Sequence, residues 1–179
     1  MINVSEVQTT PPEHFQTTLQ KKVYQTLTAL KIPFERVESD EVITMEDCAE
    51  INRRLNMKMV KTLFLCNRQK STYYLFVTCG NKPFRSKDFS AALGVARVSF
   101  APVEQMEAML GTKSGAATVF SSLLDTEHQI RIVIDRDVLA EEFYGCSDGT
   151  TTGYMKVKTK DICRSFLLFT GHTPTFIEV

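Results

Sequence analysis

The chain has 179 residues, 43% hydrophobic and 23% charged, the proportions of one folded domain rather than a disordered segment. Its 21 Lys and Arg residues equal its 21 Asp and Glu residues, and the resulting formal net charge of zero excludes a uniformly basic nucleic-acid coat. Any RNA contact must then come from a local patch. No apolar run is long enough to span a bilayer, and Met1–Pro12 has no apolar signal core, so a cytoplasmic protein is expected.

Residues 1–12 read as a flexible tail and 13–179 as one domain. Thr10-Pro11-Pro12-Glu13 has the form of a capped helix start, with Phe15, Leu19, Val23, Leu27 and Leu30 following at helical spacing up to Pro33. A short strand is expected at Phe34–Val37. Thr44 is placed to cap a second helix, with Glu46 and Asp47 in its first turn and Cys48, Ile51 and Leu55 on its inner stripe. Met59–Cys66 and Thr72–Cys79 predict a hairpin around a polar turn. Ser86 opens a helix that Gly94 closes, Arg97–Phe100 is a brief strand, and Pro102 starts a helix that stops at Gly111. A small-residue loop, Ser114–Thr118, comes next. Ile130–Ile134, Phe143–Cys146 and Tyr154–Val157 read as strands, Lys160–Thr170 as a helix and Thr175–Val179 as a last strand. This interleaving predicts an α/β domain with a mixed sheet and surrounding helices.

Five cysteines, Cys48, Cys66, Cys79, Cys146 and Cys163, form no C-x-x-C pair and read as reduced, mostly buried thiols. The histidines His14, His128 and His172 show no metal-ligand spacing, and Asp135-x-Asp137 fits a turn after a strand better than a metal loop. Gly145-Cys146-Ser147-Asp148-Gly149 matches G-x-S-x-G, with Asp161 and His172 downstream in triad order. A nucleophile elbow needs a helix after the serine, whereas Thr150–Val157 is β-rich, so the loop reading is the stronger.

Lys61 is a cation inside an apolar strand, sharing a face with Met59, Leu63 and Leu65. Such a lysine either reaches solvent or holds a partner; pattern alone favours the first, and the second would place a cation at a pocket mouth for a phosphate or carboxylate. Gly115 with Ala116 and Ala117 forms a bare-backbone loop, able to point N–H groups at an oxyanion or simply to pack tightly. Two basic clusters stand out, Arg53, Arg54, Lys58 and Lys61, and Lys156, Lys158 and Lys160; in a neutral chain the default for each is a solvated face.

In their order these segments are distinctive: Ile32–Val37, Ile43–Asp47, Val60–Leu65, Ala91–Gly94, Val98–Ala101, Gly115–Phe120, Lys158–Ile162 and Thr170–Pro174. The chain resembles the YbaK-like aminoacyl-tRNA deacylases, free-standing relatives of the prolyl-tRNA synthetase editing domain, and most closely their ProX/PrdX branch. The resemblance covers nearly everything from Val23 onward. It implies that fold, and hydrolysis of the ester of mischarged tRNA, with alanine on proline tRNA as the expected substrate. It also implies no cofactor, no metal and no protein nucleophile. Lys61 would engage the terminal-adenosine phosphate region and backbone N–H groups around Gly115 the scissile carbonyl. Thr44, Met45, Ala116, Ser147 and Thr152 would line the amino-acid pocket, and Arg53, Arg54 and Lys58 would touch the tRNA. The implied partners are the acceptor end of aminoacylated tRNA and prolyl-tRNA synthetase, with neither membrane nor DNA. The chain departs from the branch where Ser147-Asp148 replaces a His-Pro pair, Thr151 replaces an asparagine and Val119 replaces a proline. A relative that binds a tRNA end or a synthetase without hydrolysis is the alternative.

Overall fold

The computed structural model describes residues 1–179, Met45 by its backbone alone. The apolar hairpin forms as β2 (Val60–Asn67) and β3 (Tyr73–Cys79), paired antiparallel from Val60↔Cys79 to Cys66↔Tyr73. It is the centre of a five-stranded mixed sheet. A short β4 (Val98–Phe100) joins β2 antiparallel, while β5 (Ile130–Asp135) and β8 (Thr175–Ile177) run parallel on the far side of β3. A second, three-stranded antiparallel sheet places β7 (Gly153–Lys158) between β1 (Phe34–Glu38) and β6 (Phe143–Ser147). The sequence reading of one mixed sheet is correct for the larger body and did not separate off the smaller one. A parallel bridge between Met59 and Gly145 links the two.

Strand alternation then assigns the layers. The principal core lies between the sheets. It takes Phe64, Leu75, Ile132 and Ile134 from the larger sheet, Tyr144, Cys146, Met155 and Val157 from the smaller, and Leu19, Val23, Tyr24 and Leu27 from α1 (Thr18–Ala29). The opposite face of the larger sheet presents Leu65, Tyr74, Phe76 and Val133 to Phe89 of α3 (Ser86–Leu93). The outer face of the smaller sheet presents Val37 and Tyr154 to Ile51 and Leu55 of α2 (Met45–Leu55). Each such fully buried aliphatic or aromatic side chain contributes roughly 1.5–3 kcal/mol. No helix is long and apolar enough to cross a membrane.

Several local expectations need correction. Thr10 does not cap α1. The helix starts eight residues later at Thr18, where Thr17 accepts from Gln20 N at 3.0 Å and Gln20 Oε1 accepts from Gln16 N at 2.6 Å. The segment before it instead runs along β1 as far as Gln8, where Gln8 and Arg36 exchange both backbone hydrogen bonds and Ser5 N donates to Glu38 O, and then bends at Thr9 and Thr10. The buried Arg36 guanidinium fixes that run, donating to Thr10 O, to Gln8 Oε1 and to Glu38 Oε1. The helices expected at Pro102–Gly111 and Lys160–Thr170 exist but are partly π-helical. The first is α4 (Val103–Gln105) continued by Met106–Leu110, and the second is Asp161–Phe166 continued by a final α-helical turn at Leu167–Thr170. Apolar spacing does not separate an i→i+5 turn from an i→i+4 one. All five cysteines are free, and burial raises the thiol pKa of Cys163 to about 11.

The turn from β6 to β7 is organised by a buried carboxylate. Asp148, 1% exposed, accepts from Gln20 Nε2 at 3.0 Å and Tyr24 Oη at 2.8 Å, and from the hydroxyl of Thr150 at 2.8 Å. A side chain on Gly153 would overlap that carboxylate. Gly153→Ala is therefore expected to lower stability by about 1–3 kcal/mol, the usual cost of overpacking, read as a drop in the urea midpoint.

Candidate active site

Lys61 stands near the start of β2, opposite Thr78 of β3 and on the face of Leu63 and Leu65. It is half-buried and does not run free to solvent: its Nζ donates to the backbone carbonyl of Lys82 at 2.6 Å. An ammonium has three donors, so two remain for a ligand. The carbonyl that holds Lys61 is itself held. Lys82 Nζ donates to Asp135 Oδ2 and Asp137 Oδ2, each at 2.7 Å, and to Val179 O at 2.9 Å. Thr78 Oγ1 donates to the same Asp135 oxygen at 2.6 Å. Asp135, at the end of β5 and 1% exposed, is thus a buried charge with full partners. Burial opposes its ionisation, but hydrogen bonds from Lys82 and Thr78 outweigh that cost and hold the carboxyl below the usual carboxylate range. A cleft of about 220 Å³ adjoins this group, walled by Phe76, Phe84, Phe89, Lys82 and Arg85.

β4 pairs only with Leu65–Asn67, and Ala101 N adds one bond to Phe64 O. Between the Met59–Gly145 bridge and Phe64, the Lys61 stretch of β2 therefore has ladder partners in β3 only, among the described residues. Gly115 lies in the loop between α4 and a 3-10 turn at Val119–Leu123. It is exposed at φ +88°, and nothing lies within 4 Å of where its Cβ would be. Ala116 beside it is buried and donates its N–H to Lys113 O. Ala117, Val119 and Phe120 anchor the loop in the principal core, on the sheet face opposite to Lys61. Thr112, at the start of the loop, has a buried hydroxyl without a hydrogen-bond partner. No hydrogen bond or shared cleft joins Lys61 to Gly115 among the described residues.

The other expected residues are distributed as follows. Thr44 caps α2, accepting from Asp47 N at 3.2 Å while Asp47 accepts from the N–H groups of Ile43 and Thr44. The side chain of Met45 lies outside the described residues. Ser147 is 6% exposed; its hydroxyl donates to Thr150 O at 2.6 Å and accepts from Gly149 N at 3.0 Å. Thr152 Oγ1 accepts from Gln16 Nε2 at 2.8 Å. Ser147 ends a strand and leads into a hairpin turn, and the triad reading fails on both partners. His172 contacts Asp125 at 2.8 Å and Thr170 Oγ1 at 2.9 Å, and Asp161 belongs to the π-helical turn. The cations read as tRNA contacts have acidic neighbours. Arg53 pairs with Glu50 at 2.6 Å, Arg54 sits 3.6 Å from Glu6 and donates to Ser5 O, and Lys58 pairs with Glu141 at 2.9 Å. No group of three or more metal-ligating side chains occurs among the described residues.

Sequence reasoning missed Lys82, Asp135 and Asp148. The one available signal was chemical: an Asp ending an apolar strand, as Asp135 does, is buried only with partners.

Residues 39–164 match the family model described as the aminoacyl-tRNA editing domain. The chain belongs to that family. It is 27% identical over 113 residues to the prolyl-tRNA editing protein ProX of Acetoanaerobium sticklandii, covering 63% of this chain and 69% of that protein. It is also 26% identical over 162 residues to the prolyl-tRNA synthetase associated domain-containing protein 1 of Danio rerio, covering 89% and 87%. A crystal structure of a candidate trans-editing enzyme for prolyl tRNA synthetase shares the fold, with TM-score 0.65 and 14% identity over 92% of this chain and 99% of that one.

The Asp135 carboxyl is depressed in the folded state, so its contribution to stability is present above the unfolded value near pH 4 and is lost as pH falls through the folded one. Asp135→Asn should lower stability at pH 7 by about 1–3 kcal/mol for the partners it strands, read as a drop in the urea midpoint. The gap from the native protein should narrow below about pH 4.

Proposed function

We propose that this chain is a trans-acting aminoacyl-tRNA deacylase whose substrate is proline tRNA mischarged with alanine. The observation that carries the reading is that one family match, over residues 39–164, contains Lys61, Gly115 and the Ser147–Thr152 turn together. Lys61 keeps two donors beyond its tether, suited to a phosphate oxygen of the terminal adenosine. The Gly115 loop has an exposed backbone able to meet the oxygen of a developing tetrahedral intermediate. The half-open edge of β2 gives an extended RNA end a route between the Lys61 face and that loop. Water adds to the ester carbonyl, the bond to the ribose oxygen breaks, and the proton of that water ends on the ribose hydroxyl. Ser147 is excluded as nucleophile because its hydroxyl is spent within its own turn. Thr44, Ala116 and Thr152 would border the amino-acid side of the substrate. Prolyl-tRNA synthetase is the partner that supplies the mischarged tRNA, and the cytoplasm is where the two meet.

A second reading, binding of a charged tRNA without turnover, is favoured by one observation: Ser147, where the resembling branch usually has a histidine, offers no titratable group and no free hydroxyl.

Deacylation of alanyl-tRNA(Pro) separates the readings. The native protein should shorten the ester's lifetime. Lys61→Ala should lower kcat/KM by about a hundredfold, the scale of losing one positioned transition-state donor. Ser147→Ala should stay within about threefold, since its hydroxyl serves the turn at a cost of roughly 1 kcal/mol. Binding of the charged tRNA with an unchanged ester lifetime would establish the second reading instead.

A further inference from the structure

A groove of about 630 Å³ lies outside the candidate site, between the turn after β5, the ends of β6 and β7 away from their hairpin turn, the π-helical turn after β7 and the segment into β8. Lys158, Lys160 and Arg164 border it, with Glu141, Glu142 and Phe176. All three cations are exposed, and among the described residues none is within salt-bridge distance of a carboxylate. Glu141 is already taken by Lys58, which leaves Glu142 as the groove's one carboxylate without an ion-pair partner among the described residues. The scaffold beneath is rigid: Thr159 N donates to Glu142 O at 2.9 Å and Thr159 Oγ1 to Glu141 O at 2.7 Å, so the end of β7 is fixed where the lysines leave it.

We propose that this groove binds the sugar-phosphate backbone of the RNA whose acceptor end enters the candidate site. This deepens the deacylase reading and rests on it. Three separated point charges along an open groove suit successive phosphates rather than one small anion. One ion pair joins the groove to the segment that leads into β2. Glu141 on its wall is bonded to Lys58, three residues before Lys61, and three residues of strand span about 10 Å. The surface first expected to hold RNA is the poorer one, because Arg53, Arg54 and Lys58 each already face a carboxylate. A paired cation must give up its partner before it can take a phosphate.

Two variants test this, Lys158→Gln/Lys160→Gln/Arg164→Gln in the groove and Arg53→Gln/Arg54→Gln on α2, with Lys58 left in place because its pairing with Glu141 touches the groove. Binding of uncharged proline tRNA is measured across a KCl series, and circular dichroism confirms that each variant is folded. The groove variant should bind at least tenfold more weakly, and its log Kd against log salt slope should fall by about 2–3, one contact's worth for each lost phosphate. The α2 variant should stay within about threefold. Equal affinity and slope for the groove variant and the native protein would overturn the proposal, as would a larger loss in the α2 variant. Displacement of the tRNA by millimolar pyrophosphate as readily from the groove variant as from the native protein would also overturn it. Binding needs no turnover, so a native protein that binds as described but leaves the ester intact overturns the deacylase reading and keeps the groove.

Discussion

One buried carboxylate sets the shape of the turn between β6 and β7. Taking a charge out of water costs several kcal/mol unless donors replace the solvent. Asp148 obtains them from two elements, Gln20 and Tyr24 on α1 and Thr150 in its own turn. Burial, and then the charge of Asp148, pushes the Tyr24 phenol far above its ordinary range, so it stays a neutral donor. α1 is thereby locked to the β6–β7 turn, and Gly153 is required opposite the carboxylate because no side chain fits there. The Ser147 hydroxyl is drawn into the same turn. A position that carries an imidazole in the resembling branch here serves the backbone, and the turn is fixed by internal bonds rather than left to adapt to a substrate.

The same economy governs Lys61. A half-buried ammonium needs a partner, and a backbone carbonyl supplies one without cancelling the charge. Asp135 fixes Lys82 by its side chain, and Lys82 offers Lys61 its main-chain oxygen. The cation is therefore oriented by a neutral group while the neutralising carboxylate sits one residue's length further in. Had Asp135 paired directly with Lys61, little positive charge would remain for an anionic ligand. The relay keeps the charge and removes the freedom of the side chain, which is what positioning a phosphate requires.

The parts of this arrangement that could be read from the sequence follow from period and local chemistry. The β2–β3 hairpin, the Thr44 cap of α2 and the stop at Gly94 all came from patterns a few residues long. The start of α1 did not, because Thr10-Pro11-Pro12-Glu13 and Thr17-Thr18-Leu19-Gln20 both have the form of a helix start. What chose between them was distant: Arg36 of β1 claims the Thr10 carbonyl. Asp148 and Asp135 were opaque for a related reason. Their partners lie 124 and 53 residues away, and no spacing rule reaches that far. Lys61 itself was visible as an anomaly in an apolar strand, and its tether was not.

The balance of 21 basic and 21 acidic residues shows why counting charge could not locate a binding surface. Arg53, Arg54 and Lys58 look in sequence like the stronger basic cluster, being close together on and after one helix. Glu50 sits one helical turn from Arg53, and Glu141 comes across from the end of β5's following turn, so the cluster is largely consumed internally. Lys158, Lys160 and Arg164 are more dispersed along the chain, yet folding brings no carboxylate into contact with them among the described residues. The pairing of Lys58 with Glu141 acts on both surfaces at once: it quenches a cation on one and removes a repelling carboxylate from the other. A protein with no net charge can thus keep a directional cationic face, because the field a ligand meets is set by which charges are left over after folding, not by how many the chain contains.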